Sequence, residues 1–273
     1  MIISGTAGVL RPASALAGAG FRRWSTYRQA ALAGVFVNTV FGVIKLSILL
    51  GVADSAGGRV AGYDRAALST YAWVSQGLIA VVMIFSWTEL SDRVRTGDIA
   101  VDLARPIDLQ LAWLAADLGR AAWGLVSRAA IPIVFGALLF GFHRPDDVTA
   151  LVLLPLSVFL AVCVSFAGRF IMNLTAFWLT EVRGLVLLYV LVSGVLGGHL
   201  IPVQLFPGWL QDVAYATPFP SMVQSTIDLV TGQATGAHAV REVATQLGWA
   251  VGLLLAGRWV LARATRRLVV QGG

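Results

Sequence analysis

Long apolar segments alternate with short polar segments along most of this chain. A helix needs roughly 20 predominantly apolar residues to cross a bilayer. The pattern therefore predicts six transmembrane helices, at residues 30–53, 66–88, 121–142, 148–168, 184–203 and 243–262. We expect an all-α integral membrane protein in which residues 1–273 form a single transmembrane domain.

The composition supports a membrane protein over a soluble one. Hydrophobic residues make up 58% of the chain and charged residues 12%, whereas soluble domains carry about 25% charged residues. The net charge of +6 does not indicate nucleic-acid binding, because the arginines flank the apolar segments. Arginine at such positions sets the orientation of a membrane protein. The single cysteine, Cys163, excludes an internal disulfide.

The arginines also predict which side of the membrane each end occupies. If the N-terminus lies inside, fourteen arginines fall in inner segments and four in outer segments. Positive residues accumulate on the cytoplasmic side. We therefore expect a multi-pass protein of the cell (plasma) membrane with both termini in the cytoplasm.

Two segments depart from a plain six-span arrangement. Residues 1–29 are interpreted as a cytoplasmic tail, rather than a targeting peptide, that ends in basic and aromatic residues 21–30. That end is either an amphipathic helix in the membrane interface or the flank of the first span. Residues 204–240 are rich in proline yet apolar, so they predict a re-entrant pair of short helices before the last span. An ordinary extracellular loop is the alternative.

One charged loop (residues 89–108) interrupts the apolar pattern between the second and third spans. It holds five of the fourteen acids and three arginines. Gly97 and Asp98 favour a turn, and Pro106 ends a helical stretch or directs the next one. In the predicted orientation this loop is cytoplasmic, and its mixed charge suits contact with a soluble partner.

The sequence lacks the motifs of an enzyme or of an independent transporter. It has no phosphate-binding P-loop, no nucleophile elbow and no metal-ligand spacing. No acid lies in the central part of a predicted span, which disfavours a proton-coupled transporter. Lys45 is the deepest charged residue. It either pairs with a polar group or an anionic part of a ligand, or it is structural and reaches an interface or a neighbouring helix.

The charged loop contains the pattern R-x-G-(D/E)-x-x-x-x-L-x-R-P, which reads RTGDIAVDLARP at residues 95–106. With this loop, six spans and the proline-rich outer segment, the chain resembles the ABC-2 type permeases, the membrane subunits of ATP-binding-cassette exporters. The resemblance implies that the loop docks on a nucleotide-binding ATPase subunit. The residues that it assigns to this coupling are Arg93, Arg95, Gly97, Asp98, Asp102, Arg105 and Pro106.

The resemblance also implies the rest of the machinery. Two ATPase subunits bind ATP and magnesium, a second permease (identical or related) completes the pathway, and this chain itself is non-catalytic and carries no cofactor or metal. An amphipathic or lipophilic substrate such as a drug, lipid or glycolipid is exported between the permeases. Polar candidates for this pathway are Asn38, Thr39, Lys45, Ser47, Gln76 and Ser193. The alternative is a membrane scaffold or sensor that binds a soluble partner without transport.

Overall fold

The computed structural model describes residues 7–83 and 88–267, and these are helical apart from turns and one isolated bridge between Val60 and Tyr63. This confirms the all-α prediction for the described part of the chain. The helices there are α1 (Ala7–Ser25), α2 (Arg28–Ser55), α3 (Arg65–Val82), α4 (Glu89–Thr96), α5 (Ile99–Leu103), α6 (Leu109–Gly124), α7 (Ala130–Phe140), α8 (Val148–Leu174), α9 (Arg183–Leu196), α10 (Gly208–Tyr215), α11 (Gln224–Val230) and α12 (Gly236–Ala264).

Four of the described helical stretches are long and apolar enough to cross a membrane. They are Arg28–Ser55, Leu109–Phe140, Val148–Phe177 and Gly236–Arg267. The other two predicted spans correspond to α3, with 18 residues, and α9, with 14 residues. Residues 84–87 of the second predicted span lie outside the described residues. The count of six spans therefore stays a prediction.

The third predicted span begins earlier than the hydropathy pattern indicated. Its helix starts at Leu109, because the Asp108 carboxylate accepts a hydrogen bond from the Leu111 N–H at 2.9 Å and caps the first turn. A π-helical turn at Leu125–Ala129 joins α6 to α7. Asp117 and Arg120 therefore belong to a candidate spanning helix, whereas the span predicted from the sequence, residues 121–142, begins after them.

Helix α3 lies at the centre of the bundle, and most of its residues are buried. Trp73 is fully buried there, between α2 and α7. A Cβ atom at Gly42 or Gly136 would lie 2.6 Å or 2.1 Å from the indole ring. The two glycines therefore make the space for this tryptophan, and close packing of this kind explains why the helices pair as they do.

Helix α1 packs lengthwise against α6. A Cβ at Gly20 would lie 2.2 Å from the Ala116 carbonyl oxygen, and one at Gly119 would lie 1.9 Å from that of Ala17. The backbones are thus in direct contact. Residues 21–30, predicted to be an interfacial helix or a flank, cover the end of α1 and the start of α2. Residues 7–20, assigned to a tail, are the body of α1.

The proline-rich outer segment contains two short helices, α10 and α11, as the sequence suggested. The buried Asp228 carboxylate fastens α11 in place. It accepts hydrogen bonds from the Tyr63 hydroxyl at 3.1 Å and from the side-chain amide of Gln224 at 2.7 Å. Gln204 donates to both of its oxygens at 3.0 Å. The re-entrant placement of the two helices in a bilayer stays a prediction.

Candidate functional site

The charged loop folds as a compact helix–turn–helix made of α4 and α5. Gly97 ends α4 in the left-handed conformation, with φ of +84°. A side chain there is strained by its own backbone, so glycine is the suited residue. Gly97 and Asp98 are both exposed at the turn. The turn predicted from these two residues is therefore present at the tip of the loop.

Apolar side chains under the loop anchor it to the end of α8. Leu90 from α4 and Ile99 from α5 have no exposed surface and pack in one cluster with residues of α6 and α8. The side chain of Asn173 accepts a hydrogen bond from the Ser91 N–H at 3.0 Å. Burying each of these two large side chains contributes about 1.5–3 kcal/mol. The loop is therefore a rigid part of the bundle.

Two of the predicted coupling residues join α4 to α5 within the loop. Arg93 on α4 forms a hydrogen-bonded ion pair with Asp102 on α5, and this bond raises the pKa of the Arg93 guanidinium. Asp102 is 7% exposed and also lies 3.6 Å from a guanidinium nitrogen of Arg105. Arg93 and Asp102 thus hold α4 against α5 and shape the surface that the loop presents.

The remaining predicted coupling residues face outward. Arg95, Asp98, Arg105 and Pro106 are exposed. Between them lies Val101, whose side chain is 60% exposed. Val101 is not among the coupling residues predicted from the sequence. Its position two residues after the apolar Ile99, which is buried, puts it on the opposite face of a short helix and could have indicated its exposure. The loop therefore presents an exposed apolar side chain together with exposed charges of both signs.

A second segment (residues 178–183) is exposed apart from the buried Val182. Trp178 and Leu179 are 40% and 44% exposed. The Arg183 N–H donates to the Glu181 carboxylate at 3.0 Å and lowers its pKa, and the positive charge of Arg95 lowers it further. Glu181 thus lies within electrostatic range of Arg95 on the charged loop.

A buried ionic cluster, the arginine clamp (Asp117, Arg120 and Arg169), lies between the loop and the centre of the bundle. The Asp117 carboxylate accepts from Arg120 at 2.6 Å and from Arg169 at 2.8 Å. Arg120 also donates to the carbonyl oxygens of Ala80 and Val81 at 2.7 and 2.8 Å, at the end of α3. All three clamp side chains are less than 10% exposed.

The clamp corrects the interpretation of two arginines. Arg120 and Arg169 are among the fourteen arginines assigned to inner segments from the sequence, but both are buried and paired. Asp117 and Arg120 have the i,i+3 spacing of an ion pair on one helix, but no spacing indicated the pairing with Arg169, which is 52 residues from Asp117. The clamp joins α6, α8 and the last turn of α3.

Lys45 lies beside a cavity of about 370 Å³ between α2, α3 and the residues after α9. Its ammonium group donates to the Ser75 hydroxyl at 2.9 Å and to the His199 carbonyl oxygen at 2.5 Å. It also lies 5.7 Å from the ring centre of Tyr71. All of these partners are uncharged, so the positive charge faces the cavity without a neutralising carboxylate among its described lining residues.

The structure brings together half of the predicted pathway residues. Asn38 and Gln76 line the same cavity as Lys45, and the Asn38 amide donates to the Gln76 carbonyl oxygen at 3.3 Å. Thr39, Ser47 and Ser193 do not line this cavity. Their hydroxyl groups donate hydrogen bonds to carbonyl oxygens within their own helices.

Comparison with known proteins adds one finding. The sequence model of a family described as "ABC-2 family transporter protein" matches residues 40–272. This match includes the charged loop, the arginine clamp and Lys45, but not α1. No curated protein matches the chain.

Proposed function

Since this chain belongs to the ABC-2 family of transporter membrane proteins, we propose that it is the permease subunit of an ATP-driven exporter. ATP is hydrolysed by two separate subunits, which dock on the charged loop. The observation that carries this proposal is the rigidly anchored loop, with exposed charges of both signs around Val101. An apolar centre within a polar rim is the usual composition of a protein interface.

Force from the ATPase subunits enters the bundle through the anchors of the loop. Leu90 and Ile99 share their apolar cluster with residues of α8, so a shift of the loop moves α8 with it. The arginine clamp then connects α8 to α6 and to the end of α3. Close-packed interiors respond to such a shift by moving whole helices. We infer that the clamp transmits movement of the loop to the helices around the pathway.

The substrate pathway lies along the outward faces of α2 and α9, opposite a second permease, either identical or related. Large apolar side chains are exposed along both helices. They include Phe36, Val40, Ile44 and Ile48 on α2 and Leu187 and Leu191 on α9. The adjoining cavity offers Lys45, Asn38 and Gln76 within apolar walls. This combination suits an amphipathic or lipophilic substrate whose polar part is neutral or anionic.

The test is reconstitution with candidate ATPase subunits. In Val101→Asp and in the charge reversal Arg105→Glu, co-purification of the ATPase and substrate-stimulated ATP hydrolysis are expected to fall. Burial of a charge at the centre of the contact costs about 2 kcal/mol or more, roughly a 30-fold loss of affinity, and a change at the rim costs less.

Arg144→Glu is the matched control, because Arg144 is exposed in the loop before α8, outside the charged loop. It should leave co-purification and ATP hydrolysis unchanged. If no ATPase co-purifies with the unsubstituted chain, or if Val101→Asp binds as tightly as Arg144→Glu, the proposed coupling is refuted.

A further inference from the structure

A second cavity, of about 520 Å³, lies between the end of α1, the start of α2, the end of α3 and the helix Leu109–Phe140. Three arginines and three aromatic residues face it, and no described lining residue is acidic. They are Arg23, Arg120, Arg128, Trp24, Tyr27 and Trp123.

Two of these arginines have carboxylate partners within the protein. Arg23 pairs with Glu89 at 2.9 Å, and Arg120 pairs with Asp117 in the arginine clamp. Arg128 differs from both. Among the described residues no carboxylate lies within ion-pair distance of it, and its buried Nε donates no hydrogen bond. One cation of the cavity therefore has no counter-ion among the described residues.

Arg128 is also held away from the end of the bundle. Its guanidinium packs against Gly34, where a Cβ atom would lie 2.3 Å from Nη2. Gly34 is six residues beyond Arg28 along α2, which corresponds to about 9 Å at 1.5 Å per residue. An uncompensated arginine at such a depth is costly, and such residues usually have a binding or pairing role. A bound anion would remove that cost.

We propose that this cavity binds the acidic phosphate headgroup of a membrane amphiphile, with Arg128 as its counter-ion. The planar guanidinium donates two parallel hydrogen bonds to a phosphate, which a lysine cannot do. Trp24, Tyr27 and Trp123 surround the boundary between headgroup and chains, where aromatic side chains are favoured. In the predicted orientation this site opens to the inner leaflet. It is separate from the Lys45 cavity and does not rest on the proposed transport function.

A resident phospholipid, a transported lipid and free phosphate would all present the same phosphate group to Arg128. The experiment therefore distinguishes these three sources. The delipidated chain in detergent is titrated with short-chain phosphatidylglycerol, and bound lipid is counted by native mass spectrometry. Arg128→Gln is expected to weaken binding about tenfold, because it removes a charge-assisted contact. Arg144→Gln removes an exposed arginine outside the cavity and should bind like the unsubstituted chain.

Two other ligands and one other variant complete the experiment. Phosphatidylcholine should bind more weakly than phosphatidylglycerol, and inorganic phosphate should not displace the lipid. Arg128→Lys keeps the charge but loses the paired donors, so its affinity should fall between those of the unsubstituted chain and Arg128→Gln. It also serves as the test if Arg128→Gln does not fold.

Equal binding by Arg128→Gln and Arg144→Gln would overturn the proposal and leave Arg128 as an arginine that reaches the headgroup region by itself. Displacement by inorganic phosphate would instead show a free-phosphate site. Since no ATPase is present, neither result depends on the coupling proposed above. ATP-dependent transport is then measured in vesicles. A lipid that is itself moved across the membrane is a transported lipid, whereas one that only supports transport is a resident lipid.

Discussion

Replacement of Asp117 by asparagine tests the arginine clamp most directly. Asp117 is 7% exposed and is the shared partner of Arg120 and Arg169. Asparagine has nearly the same size and shape, so the substitution opens no cavity. It removes one negative charge and turns one of the two acceptor oxygens into an N–H donor. The change therefore isolates the electrostatic contribution of the clamp.

The expected cost follows from the geometry. The two arginines bind different carboxylate oxygens, at 2.6 and 2.8 Å. An asparagine side chain can serve only one of them, so one charge-assisted hydrogen bond is lost, at about 1.5–3 kcal/mol. The two cations then remain buried with no carboxylate between them. Breaking a buried ion pair by removing one partner costs about 3–5 kcal/mol in total.

The assay is reversible unfolding in mixed micelles, with the free energy of unfolding compared among variants. The matched control is Asp146→Asn, because Asp146 is exposed and takes part in no ion pair among the described residues. That control should change the free energy of unfolding by about 0.5 kcal/mol or less. If Asp117→Asn unfolds with the same free energy as Asp146→Asn, the clamp does not stabilise the bundle as described.

Three further substitutions test other parts of the structure by the same measurement. Gly119→Ala should destabilise the fold by about 1–3 kcal/mol, because the new methyl group meets the backbone of α1, whereas Gly248→Ala points into open space and should not. Leu90→Ala should cost about 2–5 kcal/mol by emptying the cluster under the charged loop, against little change for the exposed Leu138→Ala. Asp147→Asn tests a pH dependence: a hydrogen bond from the backbone N–H at the start of α12 lowers the pKa of Asp147 below 3.8. The lowered pKa of Asp147 stabilises the folded state above pH 3.8, and this stabilisation is lost as the pH falls through the pKa of the folded state. The loss of stability below about pH 4 should therefore be shallower in Asp147→Asn. An equally steep loss in both proteins would contradict this assignment.

Much of the architecture could be predicted from the local sequence. Helix α2 follows from an apolar run, and the tip of the charged loop follows from Gly97 and its neighbours. These features depend on residues close together in the chain, where helix propensity and turn preference act. The start of α6 was not predicted, because a hydropathy pattern ends a span at charged residues such as Asp117 and Arg120. In the structure these two charges neutralise each other, so the helix includes both of them.

The sequence by itself determined that the chain is helical, apolar and of the ABC-2 family, and where its charged loop lies. Only the tertiary structure decided which charges are buried and what they bind. Lys45 reaches a carbonyl oxygen 154 residues away, and Arg128 faces a cavity that has no carboxylate among its described lining residues. The physical reason is that a helix apolar on every side has no distinct face, so its sequence does not specify its neighbours. Close contacts at glycines and buried polar pairs, formed between distant segments, select the packing.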